Sequence, residues 1–124
     1  MKINDALSRV NNLKPNDYSK DNKIGWLSEL DLQVKTEILD TYEGSENISF
    51  SGYTEETSEE TELLVPEPFS EMYIHYLNAK IDYYNGENNN YNSNITMFNT
   101  VFDNFRAHYS RTHKSKGVRK ITYF

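Results

Sequence analysis

The sequence predicts an all-α fold, an antiparallel helical bundle of three to four helices with a long acidic loop and an extended C-terminal tail. The first observation behind this prediction is that residues 66–113 contain two successive aromatic-rich helical patterns joined at Asn85-Gly86. The second is an apolar seam in the later pattern, with steps of four and three between Tyr91, Ile95, Phe98, Phe102, Phe105 and Tyr109. A seam on one helix face needs another helix to cover it.

The composition fits one domain of modest stability. A chain of 124 residues buries roughly two-thirds of its unfolded surface. Its hydrophobic fraction of 36% and mean hydropathy of -0.82 are low, but ten tyrosines and six phenylalanines compensate in part. The absence of cysteine excludes disulfides, thiolate zinc sites and cysteine nucleophiles. Without a signal core or a long apolar run, we expect a soluble intracellular protein with no membrane contact.

Two helices are expected in the N-terminal third of the chain. The first covers about residues 4–12 and ends before Lys14-Pro15, because a proline disfavours helix in the preceding residue. The second runs from about Lys20 to Tyr42, with Ser19 as its N-cap and Gly44 as its stop. Its apolar face is formed by Ile24, Leu27, Leu30, Val34 and Ile38.

Residues 45–65 allow two interpretations. Two short β-like runs, 47–51 and 62–65, could pair as a hairpin, or the segment could be one long surface loop. We favour the loop, because the stretch between the runs lacks a tight two-residue turn signal. A solvated acidic loop is also preferred over a cation site, since the cluster lacks the glycine-pivoted spacing of an EF-hand: Glu55, Glu56, Glu59, Glu60 and Glu62.

Two further helices and a tail complete the chain. Pro66-Glu67-Pro68 is expected to open the third helix, with Pro68 in the first turn, and the fourth extends from about Glu87 to Thr112. The short Asn85-Gly86 link predicts that these helices fold back as an antiparallel pair. The domain division is a helical domain of residues 1–113 and an extended basic tail of residues 114–124.

Charge is distributed unevenly along the chain. Residues 36–79 contain no Lys or Arg, whereas residues 106–124 carry six basic residues and no acid. This asymmetry predicts oriented contacts within the fold or between copies. Alternating character from Val118 onward predicts a short strand without a partner nearby in sequence. The tail is interpreted first as a protein-docking segment, with a DNA-contacting arm or a free tail as alternatives.

Catalysis is not predicted. His108 and His113 are five residues apart and do not share a helix face as a two-histidine metal motif requires, and His75 is isolated. The sequence has neither a nucleophile motif nor a glycine-rich phosphate loop. We therefore expect no enzyme activity, no cofactor and no metal.

Several segments carry a resemblance to a known family: Trp26-Leu27-Ser28-Glu29-Leu30-Asp31, Glu62-Leu63-Leu64-Val65-Pro66, Met72-Tyr73-Ile74-His75-Tyr76-Leu77, Ala79-Lys80-Ile81-Asp82-Tyr83, Tyr91-Asn92 and Met97-Phe98-Asn99. With these the chain resembles the head–tail connector (adaptor, or head-completion) proteins of tailed siphophages and prophages of low-GC Gram-positive bacteria. The resemblance extends from Ile3 to the tail, but residues 53–62 match no shared motif.

The resemblance implies a virion structural protein that forms a ring, usually a dodecamer, below the portal protein. Such a ring extends the DNA channel, through which DNA passes without specific binding, and docks a downstream neck or tail protein. It also implies a location in the virion neck, with host cytoplasm during assembly. The residues expected to bind the portal or a neighbouring copy are Lys116, Gly117, Val118, Arg119, Lys120, Ile121, Thr122, Tyr123 and Phe124. The alternatives are a small DNA-binding or packaging accessory protein that uses the basic arm, and another neck or tail-completion protein.

Overall fold

A computed structural model describes residues 1–116, and these residues are mostly helical. Within them there is no β-strand, only isolated bridges between Lys2 and Glu62 and between Tyr42 and Ser115. The all-α class predicted from the sequence is confirmed for this part of the chain. Its helices are α1 (Ile3–Leu13), α2 (Lys20–Glu37), α3 (Glu71–Asn85) and α4 (Asn88–Thr112), with short 3-10 turns at Leu39–Thr41 and Ser45–Asn47.

Helices α3 and α4 form the most extensive pair. Ring contacts join residues in opposite order along the two helices, with Tyr83 against Tyr91 at 5.8 Å and Tyr76 against Phe98 at 5.3 Å between centroids. The two helices therefore run antiparallel. The reversal takes place at Gly86, whose φ of 75° lies in the left-handed region that only glycine adopts without strain.

The predicted second helix was too long. Helix α2 ends at Glu37, and the chain continues through the 3-10 turn Leu39–Thr41 instead of remaining helical to Tyr42. The physical reason lies in Thr41, whose amide and hydroxyl both donate to the carbonyl of Ile38, at 3.2 and 2.7 Å. A threonine side chain that bonds its local backbone offers the chain an alternative to the α-helical ladder.

The predicted start of the third helix was also wrong. Helix α3 begins at Glu71, so Pro66, Pro68 and Phe69 precede it. Each proline lacks an amide donor and pushes the residue before it out of helical geometry, so two prolines in three residues keep this stretch extended or turned. Phe69 nevertheless joins the core from this turn, with its ring centroid 5.5 Å from that of Phe105.

A continuous apolar core lies among the four helices and the segment that links α2 to α3. Helix α1 buries Ile3, Leu7 and Val10, and the helix seam of α4 contributes Phe98, Phe102 and Phe105. Tyr91, Ile95 and Tyr109, the other members of that predicted seam, are half-buried. The remaining large core side chains include Ile24, Leu27, Leu30, Val34, Ile38, Met72, Tyr73, Leu77 and Ile81.

Residues 45–65 are a loop, as the sequence favoured, and the hairpin alternative is not found in the described residues. The loop is not simply solvated, however. Tyr53, Leu63 and Val65 are buried, and acids of the loop form ion pairs with the N-terminal region. These pairs are Lys2–Glu60 at 2.9 Å, Lys20–Glu59 at 2.7 Å and the N-terminal amine with Glu62 at 3.5 Å.

Candidate docking site at the start of the C-terminal tail

Lys116 is the one predicted site residue that the described part of the chain contains. Its Nζ donates to Ser45 Oγ at 2.5 Å and lies 4.0 Å from the carboxylate of Glu46. The other predicted site residues, Gly117, Val118, Arg119, Lys120, Ile121, Thr122, Tyr123 and Phe124, lie outside the described residues, as does the strand expected from Val118 onward.

The start of the tail is held by backbone hydrogen bonds. The amide of Glu43 donates to the carbonyl of Lys114 at 2.8 Å, and the amide of Lys116 donates to the carbonyl of Thr41 at 3.1 Å. Between them, Tyr42 and Ser115 form an antiparallel bridge. Residues 114–116 therefore lie on the helical body, against a segment about seventy positions earlier that no pattern in the sequence pointed to.

A cluster of aromatic rings packs beside the backbone bridge between Tyr42 and Ser115. The rings of Tyr109 and His113 are parallel within 6°, with centroids 3.6 Å apart. The ring of Tyr42 packs edge-on against Tyr109, at 5.3 Å between centroids. Such ring pairs add stabilisation beyond the area that they bury. His113 thus belongs to an aromatic cluster at the end of α4.

Beside the stack lies an apolar depression of about 370 Å³, which we call the tail groove. Phe105, only 2% exposed, contributes to its base, and Ile48 and Leu64 line it as half-buried aliphatic residues. The complete lining is Leu39, Ile48, Leu64, Pro66, Phe105, His108, Tyr109 and His113. A groove of this chemistry can bury apolar or aromatic side chains of a peptide segment.

A second surface lies at the opposite end of the α3–α4 pair. Tyr83 and Tyr84 are 62% and 55% exposed. Tyr84 stacks on Trp26, with centroids 5.7 Å apart and ring planes within 10°. Beside them is a depression of about 430 Å³, the hinge groove, which is lined by Tyr76, Ala79, Lys80, Tyr83, Tyr84, Tyr91 and Ile95.

A buried carboxylate fixes the loop that forms one side of the tail groove. Asp31 is fully buried in α2 and accepts hydrogen bonds from the hydroxyls of Tyr53 at 2.5 Å and Tyr73 at 2.6 Å, and from the amide of Leu64 at 3.1 Å. Burial raises the pKa of Asp31, and the three hydrogen bonds oppose that shift. Tyr73 Oη in turn accepts from the amide of Val65 at 2.8 Å. Sequence reasoning missed this cluster.

The remaining candidate chemical groups are dispersed. Among residues 1–116, no three His, Asp or Glu side chains are grouped so that they could hold a metal ion. His75 lies on α3, where burial lowers its pKa, and His108 packs on Phe69 with centroids 5.2 Å apart. No helix in the described residues has the length and apolar character needed to cross a bilayer.

The described fold defines a mostly helical protein with two surface grooves, one of them beside the start of a basic tail. In comparisons with protein-family models, with curated proteins and with solved structures, no match to this chain was found.

Proposed function

We propose that the chain is a virion structural protein of a tailed phage or prophage, a head–tail connector subunit. In this role it forms a ring below the portal protein, extends the DNA channel and docks a downstream neck or tail protein. The observation that carries the proposal is the position of two different contact surfaces, the tail groove and the hinge groove, at opposite ends of α4.

Ring assembly needs this kind of asymmetry. A closed ring is built from heterologous contacts, in which one patch of each copy meets a different patch of the next. Along α4, the lining residues of the hinge groove (Tyr91 and Ile95) and those of the tail groove (Phe105 and Tyr109) are about 15–27 Å apart. Each groove is aromatic and partly exposed, so each offers apolar area to a partner.

The charge distribution supports the same role. The loop acids Glu55 and Glu56 are exposed, and at the start of the basic tail Lys116 contacts Ser45 and Glu46. An acidic surface on one copy and a basic tail on the next are complementary. Acidic residues along a channel would also let DNA pass, because it is basic residues that bind phosphates tightly.

The test is co-sedimentation of the full chain with tailless capsids that contain their portal, beside capsids that lack it. We expect the chain to pellet only with portal-containing capsids. The double reversal Arg119→Glu/Lys120→Glu should weaken this binding by about tenfold or more, equivalent to about 1.4 kcal/mol. Its charge-matched control is Arg106→Glu/Arg111→Glu, at exposed positions of α4 before the tail, and it should bind like the unmodified chain. Equal pelleting with both kinds of capsid would remove the portal as the partner.

A DNA-binding accessory protein is the competing function. Of the basic residues at the end of the chain, Arg106 lies 3.5 Å from the carboxylate of Glu37 and Lys116 lies near Glu46, so acids already partner two of them. Duplex DNA affinity that falls steeply with added salt would favour the accessory protein over the connector.

A further inference from the structure

We propose that the tail groove is the binding site for the chain's own last eight residues, 117–124. The isolated chain then covers this apolar depression with Val118, Ile121, Tyr123 and Phe124. This inference concerns the chain by itself and does not depend on the connector role. If that role holds, a portal or neighbouring copy has to displace the tail before it can bind the tail residues or the tail groove.

The direction of the tail start points to the groove. Lys114 is paired with Glu43 and Lys116 with Thr41, so the chain runs antiparallel to this segment and toward Leu39. Leu39 lines the groove. Val118 follows Lys116 by two residues, a reach of about 7 Å in extended backbone.

The length of the tail is sufficient for the whole groove. Eight extended residues span up to about 26 Å. The part of α4 that lines the groove, from Phe105 to Tyr109, rises only about 6 Å, and His113 follows directly after the helix. Because the tail is tethered at the groove's edge, its effective concentration there is high, and a second copy at ordinary concentration competes poorly.

The chemistry of the two parts is complementary. The groove offers aliphatic side chains and the rings of Phe105, His108 and Tyr109, which suit the apolar and aromatic residues of the tail. Two acids lie at the tail start: Glu46 is 4.0 Å from Lys116, and exposed Glu43 pairs with Lys114 through the backbone. The nearby cation Lys35 is paired with Asp40 at 2.7 Å. The tail residues Arg119 and Lys120 therefore enter a region of opposite charge.

Disulfide trapping in the full chain tests the proposal, because the chain has no native cysteine. Tyr123→Cys is combined with Ile48→Cys or with Pro66→Cys, two positions that line the groove. The matched control combines Tyr123→Cys with Asn89→Cys, at an exposed position about 30 Å along α4 from Tyr109 and beyond easy reach of the tail. Each dilute variant is oxidised, and the products are separated without reductant and weighed by mass spectrometry.

We expect both groove pairs to close an internal disulfide in the monomer at least about tenfold faster than the control pair, as an effective concentration in the millimolar range implies. Using two groove positions protects the test from one variant that fails to fold. Disulfide-linked dimers would overturn the proposal in favour of a tail bound by a second copy. Equal rates for groove and control pairs would overturn docking of the tail altogether. Neither result depends on whether the chain binds a portal.

Discussion

Asp31 is the acceptor at the centre of a buried cluster of hydrogen bonds. A buried carboxylate is costly unless it accepts several hydrogen bonds, and here it accepts three, from Tyr53, Tyr73 and the amide of Leu64. Two of these donors belong to the loop and one to α3, while Asp31 itself lies on α2. One side chain thus connects three parts of the chain.

Removal of the Asp31 carboxylate should destabilise the protein strongly. Asp31→Leu leaves two buried hydroxyls, of Tyr53 and Tyr73, and the amide of half-buried Leu64 without an acceptor. Each buried donor costs about 1–3 kcal/mol, so we expect a loss of at least about 2 kcal/mol in the free energy of unfolding. Asp31→Asn retains one acceptor oxygen and should cost less. Urea unfolding measures both, and equal stability of Asp31→Leu and the unmodified chain would contradict the assignment.

The raised pKa of Asp31 gives a pH dependence of defined sign. The folded protein binds the Asp31 proton more tightly than the unfolded chain does, so ionisation of this group costs stability as pH rises from about 4 through the raised pKa. We therefore expect the unmodified chain to lose stability relative to Asp31→Asn over this window, and the difference to become constant above it. Urea unfolding at several pH values measures that difference, and a rise with pH would show that the hydrogen bonds outweigh burial.

At the scale of elements, the α3–α4 pair organises the molecule. Its turn depends on Gly86, and its interface on the phenylalanines of the α4 seam. Helices shorter than about 12–15 residues are marginal alone, so α1, with 11 residues, depends on tertiary packing. Substitutions at Gly86 test the backbone conformation of the turn, and substitutions in the seam test the burial of apolar side chains.

Two glycine substitutions should act in opposite directions. Gly86→Ala places a Cβ on a left-handed residue and should destabilise the protein by about 1–2 kcal/mol. Gly25→Ala lies inside α2 with no atom within 4 Å of the new Cβ, and should stabilise by about 0.5–1 kcal/mol. Thermal and urea unfolding of both variants test the pair. A shift of the same sign would contradict the conformations of the two glycines.

The seam of α4 should show a steep contrast between buried and exposed positions. Phe105→Ala empties a site that is 2% exposed and should cost about 3–5 kcal/mol. Met97→Ala, on the same helix but 49% exposed, should change stability by less than about 0.5 kcal/mol. Urea unfolding distinguishes the two, and a large effect at Met97 would mean that another surface covers this face.

At the scale of the whole molecule, both ends of the described chain form backbone hydrogen bonds with the segment that links α2 to α3. The N-terminal residues bond residues 59–63 through their backbone, with Ile3 donating to Thr61 at 3.0 Å and Leu63 donating to Met1 at 2.9 Å. Residues 114–116 bond residues 41–43 in the same way. The segment between α2 and α3 is therefore held from two sides by parts of the chain that are distant in sequence.

Loss of one backbone donor should release the tail start. Lys116→Pro removes the amide that donates to Thr41, and we expect faster hydrogen exchange at the amide of Glu43, which donates to Lys114. Lys116→Ala is the matched control, because it keeps the amide and removes only the contacts of Nζ with Ser45 and Glu46. Exchange at Glu43 that is equally fast in both variants would assign the attachment to the lysine side chain instead.

Several residues of the candidate site could be predicted from the sequence, but the place where the tail attaches to the body could not. The basic tail and the seam residues Phe105 and Tyr109 follow from charge runs and helical spacing. The partner of the tail start, residues 41–43, carries no strand pattern and was predicted to be the end of a helix. The Asp31 cluster also escaped, since an aspartate on a helix is ordinarily exposed and nothing local marks it as buried.

The sequence by itself determined the all-α class and the approximate bounds of the helices, because helical periodicity, caps and breakers act over a few neighbouring residues. Only the tertiary structure decided the path of residues 38–65 and the place where the tail begins. Those features depend on contacts such as Asp31 with Tyr73, 42 positions apart, and Ser45 with Lys116, 71 positions apart. Hydrogen bonds between groups so far apart leave no periodic trace in the sequence, so only the folded chain reveals them.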